Sequence, residues 1–336
     1  MRRAACLIAV LWCLGAPGSP TRAQPSLREL KIALVAKSSA NFVFIAARRG
    51  AEDAARSLSR KHGLRIEVAW LTPPREDAAA QARAVEQAVR EGAHAILVAC
   101  SDAGRLTPAL DAAVDKGVAV MTFDSDAPAS KRFAFYGSDD ADLGEKVMID
   151  LAEQLGGRGR IAVLAGNPDA PNLRARVEAV RRTAARYKGV EIVEVVHHVE
   201  TPQDAAAAVL RVNAARRGLA GWAMVGGWPL FRSSQTPALL EDLERRGLKV
   251  VAVDALPDQL PYVEHGVVAA LWAQPIYLWG KVGVESIVDR LVLGKRVPER
   301  MRMEPVCVRR ESLGSWARQL KAWGFTGIPQ EYLALP

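Results

Sequence analysis

Polar and charged side chains recur in this sequence directly after short apolar runs. Each run has the composition of a buried strand, and ligands of parallel sheets bind beyond the carboxyl ends of such strands. If two such sheet edges face each other, the side chains that follow the runs line one cleft. They comprise two cations, several carboxylates and amides, and two aromatic rings: Lys37, Asn41, Phe44, Asp102, Asp124, Asp126, Asn172, Arg176, Trp228, Asp254 and Gln274.

These residue types favour one class of ligand. Carboxylates, amides and arginine form several directed hydrogen bonds, and aromatic faces cover apolar C–H patches. A small polyhydroxylated molecule requires both. Taken singly, each Asp or Asn could equally be a helix N-cap or a turn former. Asp124 and Asp126 leave an apolar strand together, so they are stronger candidates, although they could also brace a hinge. Arg176 lies near a predicted helix start, where a cation opposes the helix dipole, so we expect a compensating partner.

Sequence motifs for catalysis or metal binding are missing. The chain has no GxSxG, HExxH or P-loop pattern, and the GxG fragment at 157–159 precedes a predicted strand instead of following one. Asp124 and Asp126 have no companion nucleophile for acid–base chemistry. Zinc is not expected, because there is no CxxC and His197 and His198 point to opposite faces of a predicted strand. The sequence therefore predicts a binding protein without cofactor or metal, and not an enzyme.

The elements that position these residues alternate regularly along the chain. Short β-branched runs are separated by Ala-rich helical stretches, which predicts parallel sheets covered by helices on both faces. Runs that begin at 32, 66, 95 and 118 match runs that begin at 161, 191, 222 and 250, so two similar units follow one another. A further strand is predicted at 267–273, a long helix at 277–293 and a last strand at 303–308.

The tail after Ser312 contains a short predicted helix with Trp316, Leu320 and Trp323 on one face. We expect these tryptophans to dock the tail onto one of the domains. The alternative is that they form a surface for a partner protein.

The first 23 residues have the pattern of a secretory signal peptide. Arg2 and Arg3 precede a run of about 13 apolar residues, too short to span a bilayer core of roughly 30 Å. A periplasmic location is therefore expected. The alternatives are a short buried helix and a lipid anchor at Cys13, against which the bulky Trp12 argues.

Composition excludes several other classes of protein. The chain has 336 residues, of which 50% are hydrophobic and 24% charged, as in an ordinary globular protein of two domains. Loss of three arginines with the signal peptide lowers the formal net charge from +8 to +5, and the remaining charges are interspersed, unlike a nucleic-acid-binding surface.

Two cysteines, Cys100 and Cys307, remain after removal of the signal peptide. They could form a disulfide in an exported protein, or Cys100 could be a small buried hydrophobe.

Several stretches of the chain resemble the periplasmic sugar-binding proteins of ABC transporters, type I, of the ribose, galactose and autoinducer-2 group. The resemblance covers residues 28–310 and depends on the order and spacing of its pieces. They are 31–41 (KIALVAKSSAN), 95–102 (AILVACSD), 120–128 (VMTFDSDAP), 130–132 (SKR), 135–139 (FYGSD), 172–176 (NLRAR), 250–254 (VVAVD) and 273–275 (AQP).

The resemblance implies an α/β fold of two Rossmann-like lobes, each a doubly wound parallel sheet, joined by a three-crossover hinge. The first lobe would comprise residues 28–127 and 275–303, and the second 128–274 and 304–336. The implied mechanism is closure of the hinge on a sugar, followed by docking of a monomer on a membrane permease. No nucleic acid is implied.

The resemblance also assigns roles to single residues. Those that match the family's sugar-binding positions are Asn41 and Phe44 in the first loop, Asp102, Arg176, Asp254 and Gln274. Lys37 and Asp126 are similar to polar residues of the autoinducer-2 branch. The charge of Lys37 would suit an acidic sugar, a phosphate or a diol-rich signal, or it could pair with Asp124 or Asp126.

The sequence departs from the family at two positions of the cleft. Val43 stands where ribose binders have a second stacking aromatic, and 226–229 (GGWP) replaces an Asn-containing loop, so that Trp228 could stack instead.

Three other functions compete with import: a module that reports ligand state to a sensor kinase or chemoreceptor, a periplasmic sugar-modifying enzyme, and a LacI-type repressor. The signal peptide and the missing helix-turn-helix argue against the repressor.

Overall fold

The computed structural model describes residues 28–336, so the predicted signal peptide and the alternative lipid anchor at Cys13 lie outside the described residues. The first half of the chain alternates strands and helices: β1 (Glu29–Val35), α1 (Phe42–His62), β2 (Arg65–Trp70), α2 (Ala78–Arg90), β3 (Ala95–Val98), α3 (Ala103–Asp115), β4 (Ala119–Phe123) and β5 (Ala134–Ser138).

The second half repeats this pattern and ends in a helical tail. Its elements are α4 (Asp140–Gln154), β6 (Arg158–Gly166), α5 (Pro171–Ala184), β7 (Gly189–His197), α6 (Pro202–Ala215), β8 (Leu219–Met224), α7 (Thr236–Arg246), β9 (Lys249–Val253), α8 (Leu260–Glu264), β10 (Val268–Ala273), α9 (Tyr277–Leu291), β11 (Arg300–Met303), β12 (Val306–Val308), α10 (Leu313–Ala322) and α11 (Gln330–Ala334).

Two six-stranded sheets form the centres of two lobes. The first has the order β11-β5-β4-β3-β1-β2 and is wholly parallel; the second has the order β12-β10-β9-β8-β6-β7, with β12 antiparallel to β10. Apolar runs such as Ala95-Ile-Leu-Val98 are buried along their whole length, as expected of strands covered on both faces. The predicted α/β architecture of two similar units is confirmed.

The chain passes between the lobes three times: between β5 and α4, between β10 and α9, and between β11 and β12. The first passage follows Ser138, and not residue 127 as predicted, because 134–138 pairs with β4 and completes the first sheet. This strand was not predicted, because its sequence, AFYGS, has no β-branched residue and contains Gly137. The single last strand predicted at 303–308 is likewise two short strands, one in each sheet.

Helix α1, which carries cleft residues at its start, is fixed closely against α9. Gly50 and Gly280 lie at the crossing, where an added Cβ on either residue would overlap backbone atoms of the opposite helix. Asn41 caps the start of the helix, where its side chain accepts a hydrogen bond from the Val43 amide at 3.3 Å. Gly63, in the left-handed conformation, caps its end.

The tail docks on the second lobe, as expected. Trp316 is buried, and its Nε1 donates a hydrogen bond to the carbonyl oxygen of Ala255 at 2.7 Å. None of the helices within residues 28–336 has both the length and the apolar composition needed to cross a membrane.

Candidate ligand-binding cleft

The cleft lies where the carboxyl ends of the two sheets face each other. Three side-chain hydrogen bonds cross it. Lys37 Nζ of the first lobe donates to Asn172 Oδ1 at 3.0 Å, and Asn172 Nδ2 donates to Asp124 Oδ1 at 3.1 Å. Further out, Asn167 Nδ2 donates to Glu76 Oε1 at 2.8 Å. Residues that are far apart in sequence thus form one polar cluster between the lobes.

Two aspartates occupy matching positions in the two lobes. Asp124 follows the fourth strand of the first sheet and Asp254 follows the fourth strand of the second, β9. Both are buried, with φ angles of 55° and 74°, and no other non-glycine residue in the described part of the chain has a positive φ. Such a conformation is rare for a residue with a side chain and concentrates at binding sites, where the surrounding structure enforces it.

Lys37 is partnered by the first of these aspartates. Its Nζ lies 3.5 Å from Asp124 Oδ2, and both side chains are almost completely buried. Burial opposes the lysine charge, but Asp124, with Glu200 and Glu76, outweighs it and raises the pKa of Lys37 above its ordinary value. Of the alternatives that the sequence left open, the lysine pairs with Asp124, and not with Asp126.

Arg176 is the second buried cation, and it has four hydrogen bonds or ion-pair contacts within its own lobe. Asp140 accepts from Nε at 2.9 Å and lies 2.8 Å from Nη2; the Val225 carbonyl accepts from Nη1, and Gln274 Oε1 accepts from Nη2. Burial opposes the arginine charge, but Asp140, Asp124 and Asp254 outweigh it and raise the pKa of Arg176. Asp140 is therefore the compensating partner that the position of Arg176 required.

Burial also changes the carboxyl groups. It raises the pKa of Asp140 to about 6, against the opposing effect of Arg176, and raises that of Asp254 above its ordinary value. A carboxyl group in this environment can accept or, when protonated, donate a hydrogen bond to a hydroxyl.

Gln274 connects the hinge to the cleft. It occupies the second passage between the lobes, its Oε1 accepts from Ser138 Oγ at 3.1 Å, and its Nε2 donates to Asp254 Oδ1 at 3.1 Å. Ser138 is the last residue of β5, at the first passage between the lobes. Two of the three hinge segments therefore bond directly to each other.

An outer cavity of about 1050 Å³ opens beyond this cluster, between the lobes. The predicted residues Asn41 and Asp102 line it, and Asp102 caps α3 by accepting from the Arg105 amide at 3.0 Å. Glu200 also lines it. Its Oε2 accepts from Trp228 Nε1 at 3.1 Å, so the predicted Trp228 is buried and oriented by this carboxyl group.

The carboxyl group of Glu200 has a strongly raised pKa. Burial and the nearby charge of Glu76 raise the pKa of Glu200 to about 8, against the opposing effect of Lys37. At neutral pH this side chain is mostly protonated, so the acidic outer cavity carries less negative charge than its composition suggests.

Phe44 does not lie at the cleft as predicted. It is 2% exposed and packs in the core of the first lobe against Phe123 and Trp279, at ring-centroid distances of 6.3 and 6.1 Å. Helical geometry explains the error, since residues two positions apart point to different sides of a helix. At the cleft edge lies instead the ring of Phe42, which is 43% exposed and contacts the ring of Phe231 of the second lobe, with ring centroids 5.4 Å apart.

Asp126 was also predicted to contact the ligand, but in the structure it bonds to residues of its own lobe. Its carboxylate accepts from Arg132 Nε and Nη2 at 2.5 and 2.7 Å, and from Thr122 Oγ1 at 2.6 Å. Both carboxylate oxygens of this side chain thus accept hydrogen bonds within the first lobe. Two residues after Asp124, the chain has turned away from the cleft.

The cysteines and histidines form no site within residues 28–336. Cys100 is buried in the first lobe and Cys307 lies in the second, and both are free. No cluster of metal-ligating side chains occurs in the described chain. His198 lies at the outer cavity, edge-on to the Trp228 ring at 4.9 Å.

Sequence reasoning missed three polar residues of this site: Glu76, Asp140 and Glu200. A residue directly after a predicted strand, such as Asn167 after β6, has a strand-end signal. Asp140 had none, because it follows a strand that was not predicted. Glu76 and Glu200 lie in loops several residues beyond their strands, where position relative to a strand gives no information.

Comparisons with known proteins identify the family of this chain. The model of a family described as periplasmic binding protein domain matches residues 32–296. The ribose import binding protein of Bacillus subtilis is 25% identical over 286 residues, which cover 83% of this chain and 88% of that protein. The D-ribose/D-allose-binding protein of Pseudomonas aeruginosa is 29% identical over 170 residues, 48% of this chain and 52% of that protein.

Solved structures show the same fold. An ABC transporter solute-binding protein from Burkholderia graminis, in complex with D-arabinose, is 21% identical with a TM-score of 0.75, covering 86% of this chain and 98% of that chain. The resemblance inferred from the sequence pieces is therefore confirmed, and the chain belongs to the type I periplasmic binding proteins.

Proposed function

We propose that this protein is the solute-binding receptor of an ABC importer and that it captures a neutral sugar between its lobes. The observation that carries the proposal is the matched pair of buried aspartates, Asp124 and Asp254, that project from the two facing sheet edges. Membership of the family supports it, as do the relatives that are named as ribose or D-ribose/D-allose binders.

The charges of the cleft favour a neutral ligand over an anionic one. Both buried cations already have a carboxylate partner, Lys37 with Asp124 and Arg176 with Asp140. A phosphate or sugar acid would have to compete with these carboxylates. Hydroxyl groups, by contrast, can both accept from and donate to the amides and carboxyl groups of Asn172, Gln274 and Asp254.

The proposal extends to partners and location. We propose that the protein works in the periplasm or outside the cell after removal of the signal peptide. It acts as a monomer, delivers its sugar to a membrane permease, neither modifies the sugar nor binds nucleic acid, and requires no cofactor. Recovery of the bound sugar unchanged after prolonged incubation tests the absence of turnover.

Thermal melting of the chain from residue 24 onward tests the proposal with pentoses, hexoses, polyols and sugar acids. A ligand at 100 times its Kd adds about 2.7 kcal/mol to the stability of the folded state, which raises Tm by several degrees. We expect this shift from one class of neutral sugars, and its loss in Asp254→Ala and Arg176→Ala. The surface variant Glu153→Ala is the control. A shift from sugar acids alone, or from no compound, would contradict the proposal.

A further inference from the structure

The C-terminal segment, residues 313–336, is anchored on the second lobe at two points. Trp316 Nε1 donates to the carbonyl of Ala255, and the Tyr332 hydroxyl donates to Glu264 Oε2 at 2.5 Å. Leu313 and Leu320 of the same segment are fully buried. The segment therefore moves with the second lobe.

The same segment also touches the first lobe. Trp323, which follows the last residue of α10, stacks on Tyr277 with ring centroids 5.5 Å apart and planes inclined by only 10°. Tyr277 is fixed to the first lobe, because it begins α9 and its hydroxyl donates to Asp53 Oδ2 of α1 at 3.0 Å. Next to it, Gly324 lies against the guanidinium group of Arg49, also on α1.

These contacts form a continuous path between the two lobes. Trp316 and Trp323 meet edge to face at 5.7 Å. At one end, Ala255 directly follows the cleft residue Asp254; at the other, Tyr277 comes three residues after Gln274 in the second hinge passage. The path thus adds a noncovalent connection to the three covalent ones.

We propose that the Trp323–Tyr277 stack is a contact of the closed arrangement of the lobes, and that Trp323 is a positioning residue for sugar binding. This inference rests on the proposed function. The stack occurs in the same arrangement in which Lys37 bonds to Asn172 across the cleft. A contact made in the closed arrangement and lost on opening shifts the equilibrium toward closure, and a sugar that binds the closed form then binds more tightly.

Three stack variants and one control separate this role from ordinary folding stability. Trp323→Leu and Tyr277→Leu each remove one ring of the stack, and the double variant removes both. Tyr332→Phe removes an anchor of the same segment that contacts the second lobe alone, so it is the matched control. If Trp323→Leu does not fold, Trp323→Phe, which keeps a smaller ring, replaces it.

Two measurements are made on each variant: Kd by calorimetry with the sugar that most stabilises the wild type, and the radius of gyration by X-ray scattering with and without that sugar. We expect each stack variant to bind about two- to tenfold more weakly, the range of an aromatic pair. Its radius without sugar should increase, its radius with sugar should match the wild type, and the double variant should be no weaker than the singles. Tyr332→Phe should lower Tm and leave Kd unchanged.

An unchanged Kd and an unchanged sugar-free radius in the stack variants would overturn the inference, even if Tm falls. Failure of the proposed function has a different signature, since then no sugar binds the wild type. The sugar-free radius alone then decides: an increase in the stack variants, absent in Tyr332→Phe, supports the closure contact, and no increase refutes it.

Discussion

The environment of Glu200 predicts that the protein takes up a proton when the cleft closes. In the described arrangement burial and Glu76 raise the pKa of Glu200 to about 8, with smaller effects of Lys37 and Asp124. These three charged neighbours belong to the first lobe, whereas Glu200 and its hydrogen-bond donors Asn167 and Trp228 belong to the second. Separation of the lobes removes the first-lobe charges and admits water, so the pKa returns toward its ordinary value of 4.5.

The sign and size of the effect follow from linkage. A carboxyl group whose pKa is raised in the closed form stabilises that form fully below the open-form pKa, and the stabilisation is lost as pH rises through the closed-form pKa. The window for Glu200 is therefore pH 4.5 to about 8. One linked proton changes Kd by at most about tenfold per pH unit. Between pH 5.5 and 7.5 we expect sugar binding to weaken by about 10- to 100-fold.

Calorimetry measures this proton directly. Titration of the sugar at pH 6.5 in two buffers of different ionisation enthalpy gives the number of protons taken up, which we expect to be close to one. Glu200→Gln is the matched control, because its amide does not titrate and its oxygen still accepts one of the two hydrogen bonds; it should take up about one proton fewer than the wild type. Glu76→Gln should give an intermediate value. Wild-type binding with no net proton uptake, and with equal Kd at pH 5.5 and 7.5, would refute the reasoning.

Four further substitutions test the placement of single residues. Phe44→Ala should cost about 3–5 kcal/mol in urea unfolding because it empties a core position, whereas Phe42→Ala should cost under about 1 kcal/mol and weaken sugar binding; equal losses of stability would contradict the core position of Phe44. Asp126→Asn should destabilise by about 3 kcal/mol, because it leaves the buried guanidinium of Arg132 with only the exposed Glu299, 3.7 Å away, as a charged partner; calorimetry should give a Kd within about twofold of wild type. Gly280→Ala should lower stability by at least about 1–3 kcal/mol, since the new methyl group would overlap the backbone of α1; a Tm within one degree of wild type would show that the helices can separate.

The strand-end rule explains which parts of the site the sequence could predict. Parallel strands bring their carboxyl ends to one sheet edge, so a residue directly after a buried run is placed at that edge by topology alone. Lys37, Asp124 and Asp254 follow this rule and lie in the cleft. The rule fails one turn later, as with Asp126, because the chain direction after a strand depends on the turn and not on the strand.

Contacts within and between lobes could not be predicted in the same way. Asn172 bonds to Lys37 and Asp124 over more than 45 positions of sequence, and this choice of partner depends on how the lobes approach each other. The position of Phe44 could not be predicted either. The family resemblance implied a stacking role for it, but its burial depends on α9, which comes from a distant part of the chain.

The internal repetition of the chain gives the cleft its geometry. Asp124 and Asp254 each follow the fourth strand of a sheet, and each backbone amide bonds to the fifth strand, at Tyr136 and Trp272 respectively. Ser138 and Gln274 stand two residues beyond these partners and bond to each other. Because equivalent positions of the two units meet here, the hinge lies on their approximate symmetry axis. Two identical lobes would place like carboxylates opposite each other; the buried cations Lys37 and Arg176, which come from different elements, offset this negative charge.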